Sequence, residues 1–325
     1  MSLALHFLML SSQTPAKPRV VEVISVHDQL LMIHLDEGRV LYHQKGQKRG
    51  DDIVQAVDLN TDLAHKPSSY RIASPGDPDY KGGVIPAKVG RKSKGTEFAW
   101  MVESWVNGQA VNKSKDHAKE HWIYLQLPKP LKEGQSYTLT LAPDLAEPSA
   151  TRIEFKSSML RSEALHINHL GWKPGAPLKV GYLYHWAGDL GAIDFDRFIG
   201  WLFRVIDANT LAPAFEGKVA FRTPAKTQET YHVHEAPPFG SFLRAPVLEC
   251  DFSPLKKEGS YYLEVPGVGR SFGFEISRNV LKPAYYHTAR ALYHNRSGIA
   301  LRQPFTEFVR PAPHNPMVTP GFKGK

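Results

Sequence analysis

One phrase occurs twice in this chain and limits what it can fold into. Leu131-Lys132-Glu133-Gly134-Gln135-Ser136-Tyr137-Thr138-Leu139 is answered further along by Leu255-Lys256-Lys257-Glu258-Gly259-Ser260-Tyr261-Tyr262-Leu263. Each copy leads into alternating apolar and polar residues, then a turn, then a second alternating stretch. Leucine, charged turn, glycine and then tyrosine entering a strand is the sequence form of a tyrosine corner. In that motif the phenol near the start of a sandwich's penultimate strand bonds back to the preceding turn. Two copies predict two β-sandwiches in series. Most of the chain is then scaffold, and chemistry has to be sought towards its C-terminal end.

Composition agrees with a mainly β chain. The 325 residues are enough for two or three domains. A hydrophobic share of 42% with 22% charged residues supports packed cores, and 25 Gly with 25 Pro supplies many turns. The formal charge of +8 favours acidic partners. The densest basic stretch, Lys81 to Lys119, carries Lys88, Arg91, Lys92, Lys94, Lys113 and Lys115. It matches no nucleic-acid module, so it reads as a loop with charged tips and nucleic acid is not expected as a partner. The single cysteine, Cys250, excludes an intrachain disulfide and reads as a small core residue of an alternating strand.

The expected order begins with a leader or disordered arm over 1–18, where Leu3 to Leu10 form an apolar run like that of a signal peptide. That run is too short to span a bilayer, so no membrane partner is expected, and the location expected is extracellular or periplasmic. A first sandwich is predicted over 19–157, with a hairpin turning at Asp36-Glu37-Gly38-Arg39 and loops at Pro75 to Lys94 and Asn107 to Lys119. A strand is read at Phe98 to Val102. A linker at Ser157 to Ser162 leads to a second sandwich over 162–277. The apolar spacing then becomes helical at Leu281, Ala284, Tyr285, Thr288 and Leu292. Asn279 is positioned to cap that helix, Pro283 fits its first turn, and Asn295 to Gly298 ends it. An isolated helix needs a surface to pack on. If its partner is absent, the segment 280–294 is expected to expose Leu281, Tyr285 and Leu292 and to self-associate.

Other constellations are weaker. Tyr231-His232-Val233-His234-Glu235 puts two histidines on one strand face, and His166 with His169 make a second pair, but no third metal ligand is in view. No phosphate loop, Gly-x-Ser-x-Gly elbow or Cys-x-x-Cys pair occurs. Trp100, Trp105 and Trp122 fall in the first half, and Trp172, Trp186 and Trp201 in the second. Aromatic rings stack on the apolar faces of sugars as readily as they fill cores. Trp100 and Trp105 are the candidate sugar contacts.

Several passages carry a family resemblance. Leu165-His166-Ile167-Asn168-His169-Leu170-Gly171-Trp172-Lys173-Pro174-Gly175 resembles the opening strand of the immunoglobulin-like domain that precedes the catalytic domain in glycoside hydrolase family nine, the cellulase and endoglucanase group. Phe215-Glu216-Gly217-Lys218 is similar to its middle strand, and Gly259 to Phe272 to its most characteristic passage. Ala289 to Gly298 resembles the first helix of the family's (α/α)6 barrel, and Val309-Arg310-Pro311-Ala312-Pro313-His314 the stretch that follows it, with Pro313 where Cys is usual. The resemblance implies two immunoglobulin-like sandwiches, then the start of a helical barrel over 279–325. It implies a parent that cleaves β-linked polysaccharide by inversion without an organic cofactor.

The family's Asp-Ala-Gly-Asp motif and its late Glu do not occur. Asp51-Asp52 and the alternate pair Asp194 and Asp196 do not match them, so no catalytic residue is carried over. The expectation is a truncated, non-catalytic region that scaffolds a missing barrel, with polysaccharide or that barrel as partner. The alternative is a stand-alone carbohydrate-binding or adhesion protein whose basic loop, Lys81 to Lys94, meets acidic glycan.

Overall fold

The computed structural model describes residues 16–48, 50, 52–100, 104–111, 115–227 and 242–314. The apolar run at Leu3 to Leu10, the histidines at 232 and 234, Asp51, Lys113 and the last residues of the tail lie outside them. The first half contributes β1 (Arg19–His27), β2 (Leu30–Asp36), β3 (Gly38–Leu41), β4 (Ile53–Ala56), the short helix α1 (Thr61–His65), β5 (Tyr70–Ala73), β6 (Lys88–Phe98), β7 (Ser104–Val106), β8 (Gln109–Val111), β9 (His117–Gln126), β10 (Gln135–Leu141) and β11 (Ala150–Phe155). The second contributes β12 (Leu165–His166), β13 (Val180–Leu183), β14 (Leu202–Asp207), β15 (Pro213–Lys218), β16 (Ala220–Thr223), β17 (Val247–Asp251), β18 (Gly259–Val265), β19 (Gly269–Ile276) and the helix α2 (Lys282–Asn295). The fold is mainly β.

Four larger antiparallel sheets organise these strands. In the first half a sheet ordered β1-β2-β9-β6 faces a sheet ordered β11-β10-β5. Leu31, Ile33 and Leu35 of β2 and Ile123 and Leu125 of β9 meet Tyr70, Ile72, Tyr137, Leu139, Ile153 and Phe155 in a core between them. In the second half the orders are β12-β13-β17-β16 and β15-β14-β18-β19, with Leu183, Leu248, Cys250, Phe203, Val205, Tyr261, Leu263 and Phe274 between the sheets. Alternation puts one apolar set of each strand inside.

Both tyrosines of the repeated phrase bond back to their turns. Tyr137 Oη accepts from the Lys132 amide at 2.8 Å and donates to Asp77 Oδ2 at 2.8 Å. Tyr261 Oη donates to the Lys257 carbonyl at 3.0 Å. Each opens the penultimate strand of its half, β10 before β11 and β18 before β19.

The two halves also share a core. Ile24 and Val26 of β1, Leu30 and Met32 of β2 and Tyr124 of β9 point away from the first core and join the second, against Phe195, Phe198 and Val268 among others. Strand β2 is therefore buried on both faces, which the unbroken run Leu30-Leu31-Met32-Ile33 required. The segment 157–162 is accordingly no spacer. Ser162 Oγ donates to the Val26 carbonyl at 2.8 Å and the Ser162 amide to the Arg270 carbonyl at 2.9 Å, so that residue is bonded to both halves. Ser157 Oγ likewise receives the Gly267 amide at 2.9 Å while its own amide meets Glu133.

Several local expectations are corrected. The hairpin is β1 with β2, whereas β3 leaves the sheet and pairs with β4. Glu37, at the expected turn, points inward instead, accepting from the Leu59 amide at 2.9 Å and meeting His121 Nε2 at 3.0 Å. Gly38 follows with φ of +140° and lies so close to the Gln55 backbone that a Cβ would overlap it. The stretch Lys88 to Lys94, read as loop, belongs to β6, and no strand begins at Phe98, where β6 ends. Strand β6 is the outermost of its sheet, and Lys88 and Lys94 reach solvent there and keep the edge from pairing elsewhere. Within Asn107 to Lys119, also read as loop, lie β8 and the start of β9. Asn107 and Gly108 make the two-residue turn between β7 and β8, with φ of 51° and 76°. Helix α2 is capped by Leu281 without a side-chain bond, so Asn279 is not its cap. None of its residues is buried.

Candidate functional site

The two tryptophans singled out in the sequence lie beyond the end of β6. There Ala99 donates its amide to the Asp116 carbonyl at 2.7 Å and Trp100 its amide to Asp52 Oδ2 at 3.1 Å. The other oxygen of Asp52 accepts from the His43 amide at 2.7 Å and lies 2.8 Å from His43 Nδ1. The His43 amide, then its ring, hold the Asp52 carboxyl below the usual carboxylate range. An ionised Asp52 therefore pins the chain after β6 to the chain after β3. Trp105 stands apart on the β7–β8 hairpin, opposite Ala110.

These rings face solvent. Trp105 is 61% exposed, Phe98 60%, Tyr42 52% and Trp100 49%, too open for core residues. Phe98 is stacked on His117 with centroids 5.7 Å apart, and His117 Nδ1 lies 2.6 Å from Asp116 Oδ1. Glu97 Oε2 accepts the Val40 amide at 2.5 Å. At and just beyond the end of β6, Phe98 and Trp100 thus present open ring surface beside the carboxylates of Asp52 and Asp116 and the imidazoles of His43 and His117. That is the chemistry that stacks on sugar rings and accepts hydrogen bonds from their hydroxyls.

The remaining candidates are placed elsewhere. Trp122 lies flat against His34, 4.9 Å apart, on the sheet face turned to the second half, with the Lys92 ammonium 5.2 Å from its ring. Burial lowers the Lys92 pKa. Trp172 packs edge-on against Phe252 and Phe274 in the second core. His166 stacks on Tyr184 at 3.9 Å, and His169 lies 4.9 Å from Phe272. Among the described residues no group of three or more metal-ligating side chains converges. Cys250 is fully buried, and burial pushes its thiol up, away from nucleophilic use. The exposed rings of Phe98 and Tyr42 were not singled out in the sequence. The Asn107-Gly108 turn would have located Trp105 on a hairpin. The pairing through Asp52 leaves no local signal.

No family model matches the chain. Over 63 residues it is 38% identical to Endoglucanase D of Acetivibrio thermocellus, a match that takes in 19% of this chain. The match covers 10% of that relative's length. Two solved structures are similar over 46% of this chain. One is a metagenome-derived endoglucanase of glycoside hydrolase family nine, at 23% identity, 24% of its own chain and a TM-score of 0.35. The other is a family nine glycoside hydrolase of Bacteroides ovatus, at 20% identity, 22% of its chain and a TM-score of 0.32. A 63-residue stretch of this chain is thus similar to a curated endoglucanase.

Proposed function

We propose that this chain is the accessory β-sheet region of a glycoside hydrolase acting on β-linked glucan. In this reading it carries a helical catalytic barrel on one side and meets glycan with the Tyr42, Phe98, Trp100 and Trp105 end. The observation that carries it is the likeness to Endoglucanase D, joined to the order of the resembling passages along the sequence. Helix α2 and the segment after it supply the barrel-facing surface. Leu281, Tyr285, Tyr286, Leu292, Phe305, Phe308 and Val309 are all exposed there. The catalytic carboxylates belong to the barrel, and the acidic pairs of this chain take no part.

Such a protein works where its polymer is, outside the cytoplasm, and among the described residues no helix is long and apolar enough to cross a membrane. The adhesion reading loses its basic loop, since Lys88 to Lys94 lie in β6 and Lys92 is turned onto Trp122.

Electrophoresis of the purified chain through gels containing soluble mixed-linkage β-glucan tests the glycan contact. Retardation is expected, weakened several-fold by Trp100→Ala or Trp105→Ala and unaffected by Trp201→Ala. Equal mobility with and without glucan would remove the glycan half of the proposal.

A further inference from the structure

Away from the aromatic end, three side chains of the first half line up in a row. Ser93 on β6 stands directly opposite His121 on β9. Ser93 Oγ is 2.7 Å from His121 Nδ1, and His121 Nε2 is 3.0 Å from Glu37 Oε1. Glu37 and His121 are buried, at 1% and 2% exposure, while Ser93 is open to solvent. Burial pushes the Glu37 carboxyl up, but His121, the Leu59 amide and the Lys115 ammonium outweigh it and hold it at about 2. An ionised carboxylate only accepts, so it takes an N–H from the ring at Nε2. That turns Nδ1 towards Ser93, where with Nε2 as its N–H the ring accepts from the serine hydroxyl. Arg91 adds a cation: its Nη1 donates to Ser93 Oγ, and its Nε is buried without a partner among the described residues.

We propose that Ser93, His121 and Glu37 are a nucleophile, a base and an orienting carboxylate, and that the chain hydrolyses small carboxylic esters through Ser93. A nucleophile within hydrogen-bond reach of a base that a third group orients is the mark of activated serine chemistry, whatever the fold. The ring is turned so that Nδ1 meets the serine. The chemistry needs only a lone pair on one side of the imidazole and an N–H held on the other. Ser93 Oγ adds to the ester carbonyl carbon while its proton passes to His121 Nδ1. The carbonyl oxygen becomes an oxyanion beside the Arg91 guanidinium. The alkoxy C–O bond then breaks, and the alcohol departs with the proton from Nδ1. Water adds to the Ser93 ester with the same proton relay, the acid is released and the hydroxyl is restored. An exposed serine on the outermost strand gives the acyl group little wall to rest on, so short acyl groups such as acetyl are the fitting class. The proposal stands apart from the glucan reading and shares no residue with it.

The test is labelling of the purified chain with a fluorophosphonate probe, read by intact mass and peptide mapping, alongside turnover of p-nitrophenyl acetate. One adduct per chain on Ser93 is expected. Turnover should fall about 100-fold or more in Ser93→Ala. Glu37→Gln should lose labelling as well, its folding being checked by circular dichroism. Ser93→Cys, at an exposed position, gives an independent reading: its thiol should alkylate with iodoacetamide faster than a free thiol and with a pH profile set by an imidazole. Absence of an adduct on Ser93, or Ser93→Ala turning over ester as fast as the unaltered chain, would make the row a hydrogen-bond chain that only satisfies Glu37. The proposal would then be overturned.

Discussion

The two tyrosines of the repeated phrase do the same job with unequal means. Tyr137 bonds in two directions and reaches a fully buried carboxylate, Asp77, which also receives the Lys132 ammonium at 2.6 Å. Burial pushes the Asp77 carboxyl up, and these two donors outweigh it and hold it low. Tyr261 makes one bond to a carbonyl. Removing the Tyr137 hydroxyl strands the Lys132 backbone amide and takes one donor from a buried anion that keeps the Lys132 ammonium, whereas removing that of Tyr261 strands one acceptor near solvent. Tyr137→Phe is expected to cost roughly 2–3 kcal/mol and Tyr261→Phe about 1 kcal/mol, measured by urea unfolding of the two variants. The tyrosines were legible because their signature spans a few neighbouring residues. Asp77 was not, because it lies 60 positions from Tyr137 and carries no local pattern. The same holds for Asp52, which joins Trp100 to His43 across the sheet.

Among the elements, helix α2 was readable from its spacing alone, but its surroundings were not. Among the described residues, its side-chain ties to the rest of the chain lie at its C-terminal end. His294 Nε2 lies 2.9 Å from Thr306 Oγ1, and Arg310 Nη2 donates to the His294 carbonyl at 3.0 Å. Tyr285 and Leu292 remain 76% and 71% exposed, more than a stable solvent-facing helix of this spacing has reason to show. The purified chain is expected to self-associate through 280–294 as its concentration rises. Tyr285→Lys with Leu292→Lys should return it to a monomer in analytical ultracentrifugation. A monomer at every concentration before substitution would count against that surface. Charge misled the reading of β6, since lysines mark a loop tip and a protected sheet edge alike. The turn at Asn107-Gly108 carries one of the strongest short hairpin signals, and the three-residue strands beside it were too short to show alternation.

At the scale of the whole molecule, the halves are joined by apolar surface with a polar margin, and that margin is sensitive to protons. His185 lies at the margin with its ring 5.2 Å from that of Tyr124, and its Nε2 has no partner among the described residues. Burial, and then the Lys92 ammonium, hold its pKa down at about 3. In the unfolded chain the ring takes a proton near its ordinary value of 6.5, which the folded chain refuses. This contribution is complete above 6.5 and is lost as pH falls towards 3, by at most roughly 1.4 kcal/mol per pH unit. His185→Gln should flatten that part of a thermal-unfolding profile, and an unchanged slope would place the ring in water. The joined core was hidden in the sequence because a sandwich strand is expected to alternate, and the run Leu30 to Ile33 does not.

That run has a cost for accuracy in folding. A strand with one wet face is kept in place because sliding by a single residue would turn its oily side outward. Strand β2 lacks this safeguard, since sliding exchanges one oily row for another. Its alignment must be enforced by the few charged groups at its far end, where His34 Nε2 meets Glu120 Oε2 at 2.8 Å and Asp36 meets Arg19 at 3.1 Å. These half-exposed pairs, modest in energy, act as the pegs that choose between two almost equally greasy alignments.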